Sequence, residues 1–196
     1  MAEMLAGDIL LFDGSDVSDV AGMVTHVVDN GIEAVTGCRL SHSAMVYELP
    51  YLLIESTIQD GKSGPQLHDI AYRRATYPGR MWHLSLDPHF RAGLDFGAMW
   101  ACAEAKIGRD TYAIGTLAKW LASHMPILQW VPWFREPIQG QEDCAELLVM
   151  LYQAGGGLPG VNAAETSPGD LAAMRIYSGV EQLCGAAMEI AKFNCV

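Results

Sequence analysis

Two short stretches of this chain carry residue types that could do chemistry together. One is Asp143-Cys144-Ala145-Glu146-Leu147-Leu148; the other, about a hundred residues earlier, is Ser41-His42-Ser43. Asp143 is a good N-cap, so Cys144 falls in the first turn of a predicted helix over about 144–153. Unpaired amides and the positive dipole end of a helix favour thiolate over thiol, and the thiolate is the attacking species. The same amides can hold the oxyanion of a tetrahedral intermediate. Glu142 and Asp143 oppose this with negative charge, so a histidinium partner is required. A second reading needs no chemistry. Cys144 precedes Leu148 and Leu151 on the face that must pack inward, and cysteine is among the most buried residue types.

His42 supplies the partner through strand geometry. His42-Ser43-Ala44-Met45-Val46-Tyr47 reads as a strand, Leu49-Pro50 as a turn, and Tyr51-Leu52-Leu53-Ile54-Glu55 as the returning strand. A hairpin centred on that turn pairs Glu48 with Tyr51, Val46 with Leu53 and Ala44 with Glu55. Alternation then puts Glu55 on the His42 face, a diagonal neighbour roughly 7 Å away. A carboxylate there can fix one tautomer of the imidazole and stabilise its charged form. A one-residue slip reverses the arrangement.

The remaining elements read as a scaffold. Gly7 to Phe12 is a short apolar strand ending at Asp13-Gly14. Ser15 or Asp16 can cap a helix carrying Val17, Val20, Val24, Val27 and Val28. Gly61 to Pro65 reads as a loop, and Arg80 to Leu86 as a further strand. Helices are predicted over 90–107 and from about Tyr112 to Ser123. The cysteine helix should stop at Gly155-Gly156-Gly157. Thr166 or Ser167 should cap a helix opening on Pro168, and a last helix should run from about Val180 to Lys192. Strands first and helices later predict an α+β domain with an antiparallel sheet packed against helices. At 196 residues the chain is read as one domain, 1–196, with a helical C-terminal extension over about 155–196.

Composition excludes several function classes. The formal charge is −11 and the pI about 4.8, so no general attraction to nucleic acid or anionic lipid is expected. Tyr72-Arg73-Arg74 is the densest basic run. No stretch is long enough to span a bilayer without charge or proline. No signal peptide is read at the N-terminus, so synthesis in the cytoplasm is expected. The five cysteines lack any Cys-x-x-Cys pair, which argues against a zinc site or a disulfide framework. No metal and no cofactor are predicted. Gly155 to Gly160 has the letters G-x-G-x-x-G, but a helix precedes it where the dinucleotide fingerprint needs a strand. Trp120, Trp130, Trp133 and Phe134, among prolines, read as core under a long loop, or as a lid or a docking patch for a protein partner beside the active-site cleft.

The ordered set Gly7–Phe12, Ser41–Val46, Ile54-Glu55-Ser56, Ile107-Gly108-Arg109-Asp110-Thr111-Tyr112 and Asp143–Leu148 resembles the circularly permuted branch of the NlpC-type papain-like cysteine hydrolases. That branch includes YiiX-like bacterial proteins and relatives of lecithin:retinol acyltransferase. Its histidine precedes its cysteine, as here. The resemblance implies a permuted papain-like fold with Cys144 as nucleophile, His42 as base, Glu55 as the residue orienting it, and Tyr112 lining the substrate site. Glu146 matches a glutamate often found two places after the cysteine. The segment from Trp120 to Gly140 is longer and more aromatic than the family pattern. A looser similarity to phage-encoded members adds a virion-associated setting. The implied activity is hydrolysis of an amide or ester through a thiol acyl-enzyme, with peptidoglycan-type peptides as favoured substrates. Lipid-directed acyl transfer or ester cleavage is the alternative within the same chemistry. A non-catalytic binding or virion protein with this fold is the alternative outside it.

Overall fold

A computed structural model describes residues 3–13, 39–48, 52–59, 62–109, 111–112 and 141–188. The helix predicted after Ser15, the Leu49-Pro50 turn, the aromatic segment Trp120–Phe134 and the helix predicted beyond Tyr112 lie outside the described residues. The architecture is α+β. The strands of the main sheet are β1 (Ile9–Asp13), β2 (His42–Glu48), β3 (Leu52–Gln59), β4 (Lys62–Asp69), β5 (Arg80–Leu86) and β8 (Tyr177–Cys184). They form one antiparallel sheet in the order β4-β3-β2-β1-β5-β8. Two short strands, β6 (Thr111–Tyr112) and β7 (Gln141–Glu142), pair in parallel beside it.

Every residue of β1 is buried because both faces of the sheet are covered there. Ile9 and Leu11 face one cluster with Met45, Ile54, Trp82 and Leu84. Leu10 and Phe12 face the other with Ala44, Val46, Leu53 and Met81. A continuous apolar run, rather than an alternating one, suits such a two-sided strand. The helices are α1 (Ile70–Thr76), α2 (Pro88–Ala92), α3 (Phe96–Lys106), α4 (Cys144–Ala154) and α5 (Pro168–Ala173). Helix α4 supplies Ala145, Leu147, Leu148, Leu151 and Tyr152 to the first cluster. Each fully buried Leu there contributes about 1.5–3 kcal/mol over exposure.

Local chemistry sets the ends of these helices. After α4, Gly156 takes φ +85°, in the left-handed region. The Gly157 N–H then bonds the Tyr152 carbonyl at 2.8 Å and the Gly156 N–H bonds that of Gln153 at 3.0 Å, the paired closure that glycine permits at a helix end. Ser167 and Asp170 cap α5 reciprocally, with Pro168 opening the helix. At the start of β1, the buried Asp8 carboxylate accepts the Leu5 and Leu86 N–H groups, both at 2.8 Å. It also meets His83 Nε2 at 2.8 Å and the Arg91 guanidinium.

Three expectations are corrected. The helix predicted over 90–107 is divided into α2 and α3, because Gly93 closes the first and Asp95 caps the second. The stretch from Gly61 to Pro65, read as a loop, mostly belongs to β4, whose pairing with β3 runs from Gln59↔Lys62 to Leu52↔Asp69. The two residues between those strands are Asp60-Gly61, a strong hairpin sequence, and Pro65 is tolerated because β4 is an edge strand. The start of the helix predicted from about Val180 to Lys192 is instead strand β8, which ends at Cys184 and pairs with β5; residues 189–192 lie outside the described residues. The strand's half-buried edge position required little apolar alternation, so the sequence pattern there was weak. Within the C-terminal stretch, residues 177–184 complete the sheet after helix α5. Among the described residues, no helix is long and apolar enough to cross a membrane.

Candidate active site

The first turn of α4 is built as its sequence predicts. The Asp143 side chain accepts the Glu146 N–H at 2.7 Å, and the Asp143 carbonyl accepts the Leu147 N–H at 3.1 Å. Helix geometry offers no internal partner to the Cys144 and Ala145 N–H groups, so the thiol sits against the electropositive end. Cys144 is 2% exposed.

Helix α4 and strand β2 are held in step. The Tyr152 hydroxyl donates to the Gly7 carbonyl at 2.7 Å, and the Gly7 N–H donates to the Val46 carbonyl at 2.8 Å. Cys144 at the start of α4 and His42 at the start of β2 interact electrostatically.

The partner strand supplies the carboxylate. The β2–β3 pairs run from Glu48↔Leu52 through Val46↔Leu53 to Met45↔Ile54. Glu48 pairs with Leu52 rather than with Tyr51, because a bulge lies between Val46 and Glu48. That bulge is on the turn side of Val46, so the register further along, and with it the shared face of His42 and Glu55, is kept. His42 Nε2 lies 2.5 Å from Glu55 Oε2. The ring also packs on Phe12, with centroids 5.1 Å apart.

Electrostatics follow from these contacts. Burial pushes the His42 pKa down, but the charge and hydrogen bond of Cys144, and then those of Glu55, outweigh it and raise the imidazole to about 10. Burial pushes the Glu55 carboxyl up. Hydrogen bonds from His42 and His68, with the charges of His42 and Arg73, outweigh that and hold it far below the usual carboxylate range. The contacts thus favour the charged form of His42 and the ionised form of Glu55.

Sequence reading missed two neighbours. His68 Nδ1 lies 2.7 Å from Glu55 Oε1. Arg73 Nη2 donates to Glu55 Oε2 at 2.9 Å. The signal for His68 was hidden by the missed strand β4: with Gln66 opposite Glu55, His68 is the diagonal neighbour on the same face. Arg73 comes from α1, which no periodicity announced. Tyr112 stands opposite Glu142 in the backbone pairing of β6 with β7, two residues ahead of Cys144; its side chain lies outside the described residues. Glu146 is buried in the first turn of α4. Cys38 and Cys195 also lie outside the described residues. Burial raises the Cys184 thiol above its ordinary pKa, the opposite of an activated nucleophile.

No three described His, Cys, Asp or Glu side chains are grouped so that they could hold a metal ion. No family model matches the chain, and neither does any curated protein.

Proposed function

We propose that this chain is a cysteine hydrolase of the permuted papain-like, NlpC-type fold, cleaving an amide or ester through a thiol acyl-enzyme. The observation that carries this reading is the 2.5 Å contact of His42 with Glu55, beside the electrostatic interaction of the same imidazole with Cys144. Glu55 engages Nε2, which leaves Nδ1 as the ring nitrogen for the thiol proton.

His42 takes the proton from Cys144 Sγ, and the thiolate attacks the substrate carbonyl carbon. The carbonyl π pair moves to oxygen, and the oxyanion is met by the Cys144 and Ala145 N–H groups at the helix start. Collapse breaks the bond to the leaving amine or alcohol, which receives the proton from His42. A thioester on Cys144 remains. His42 then removes a proton from water, the hydroxide attacks the thioester, and the acid leaves as the thiol is restored. Peptidoglycan-type stem peptides are the substrate class that the family resemblance favours.

The test is labelling of the folded protein with limiting iodoacetamide, followed by peptide mapping. Cys144 should be modified ahead of Cys38, Cys102, Cys184 and Cys195, and His42→Ala should abolish that preference. Incubation with stem peptides and, separately, with simple acyl esters should then show which donor leaves an acyl mass on Cys144. An unreactive Cys144 in the folded protein would discard the hydrolase and leave a binding or virion protein.

A further inference from the structure

Glu55 is unusual in how completely its carboxylate is used. It is fully buried, where an ionised carboxylate is costly unless paired. On Oε2 it meets His42 Nε2 at 2.5 Å and Arg73 Nη2 at 2.9 Å. On Oε1 it meets His68 Nδ1 at 2.7 Å and Arg73 Nε at 2.9 Å. An ionised carboxylate only accepts, at about four lone-pair sites; His42, His68 and Arg73 Nη2 occupy three by hydrogen bonds, and Arg73 Nε adds an ion-pair contact to Oε1.

We infer that Arg73 and His68 are positioning residues for the proposed thiol chemistry, keeping Glu55 ionised and acceptor-only so that His42 keeps its proton on Nε2 and turns the Nδ1 lone pair toward Cys144. This rests on the reading of His42 as base. The alternative proton arrangement shows why it matters. A protonated Glu55 would donate its O–H to Nε2, and the neutral imidazole would then carry hydrogen on Nδ1. That tautomer cannot accept the thiol proton. Arg73 prevents it because a guanidinium does not lose its charge at ordinary pH. His68 fills the other oxygen and stops the carboxylate from rotating away.

Arg73 is itself held in place. Its guanidinium lies over the Phe12 ring at 5.4 Å and the Tyr77 ring at 5.9 Å from the centroids, and Phe12 is the ring that also packs on His42. Cation–π contact of this kind suits arginine and its planar fork. The charged and titratable groups at the cluster come from five elements: His42 of β2, Glu55 of β3, His68 of β4, Arg73 of α1 and Cys144 of α4.

The test compares the pH profile of Cys144 alkylation by iodoacetamide in the full chain and in Arg73→Lys, Arg73→Gln, His68→Ala and His42→Ala. Arg73→Gln should move the acid limb up by about one unit or more, which is tenfold on that limb. Arg73→Lys, which keeps the charge without the fork, should move it less, and His68→Ala should also shift it. In Cys144→Ala protein labelled with 15N-histidine, the neutral His42 ring should show hydrogen on Nε2. Adding Arg73→Gln should shift it toward Nδ1. If Arg73→Gln fails to fold, Arg73→Lys and the ring spectrum of Cys144→Ala decide. Unchanged profiles with His42→Ala still abolishing reactivity would overturn the positioning role alone, as would hydrogen on Nδ1 in Cys144→Ala. Unchanged reactivity in His42→Ala would overturn the hydrolase reading beneath it.

Discussion

His42 Nε2 and Glu55 Oε2 lie 2.5 Å apart, while the backbone pairing of their two strands reaches only to Met45 and Ile54. The link is made by side chains on a shared face, so it can be cut without removing a ladder bond. Glu55→Gln removes the charge and leaves Arg73 facing an amide. Breaking one side of a buried ion pair costs about 3–5 kcal/mol. Urea denaturation should show that loss, and Cys144 alkylation at neutral pH should slow. A variant as stable as the natural protein would contradict the account of Glu55 as a buried ion.

The same pair sets how stability depends on pH. Glu55 is held below its ordinary 4.5, so its contribution is present above that value and is lost as pH falls toward the folded-state pKa. His42 is raised from 6.5 to about 10, so its contribution is complete below 6.5 and is lost as pH rises through about 10. Stability should therefore be flattest between 4.5 and 6.5. Denaturation series across pH should show the alkaline decline shrink in His42→Ala and the acid decline shrink in Glu55→Gln. Parallel curves for all three proteins would remove the linkage.

Asp143 caps α4 through the Glu146 N–H. Asp143→Ala should cost about 1 kcal/mol, and it should also slow alkylation of Cys144, because the first turn presents the thiol. Asp143→Asn should restore the cap and most of the stability. Thermal melts and alkylation rates on the same samples read both effects.

The two glycines ending α4 should respond differently to alanine. A Cβ on Gly156 meets nothing within 4 Å, so only its φ of +85° opposes it, at roughly 1–2 kcal/mol. A Cβ on Gly155 would lie 2.6 Å from the Met99 side chain and 3.2 Å from the Asp95 carbonyl. Gly155→Ala should lower the melting temperature through packing and loosen the α3–α4 contact; equal stability to the natural protein would show that Met99 can simply move aside.

The sequence by itself determined the elements whose causes are local. Strand β5 spans the predicted Arg80 to Leu86, Asp143 caps the cysteine helix, and the glycines end it. Ser167 and Pro168 open α5. Each rests on a residue acting within a turn or two of itself. The shared face of His42 and Glu55 was also legible, because it depends on strand alternation about one turn, and the bulge falls where it does not disturb that face.

Only the tertiary structure decided the rest. Strand β8 exists because β5 offers it an edge to pair with, not because its own pattern demands extension. His68 and Arg73 reach Glu55 through a second hairpin and the helix that follows it, and no spacing in the chain states that convergence. The tie between α4 and the residues before β1 depends on a tyrosine hydroxyl meeting a carbonyl 145 positions away. Local preferences act over a few residues, whereas a buried carboxylate is stabilised by whichever donors the folded chain brings within hydrogen-bond reach.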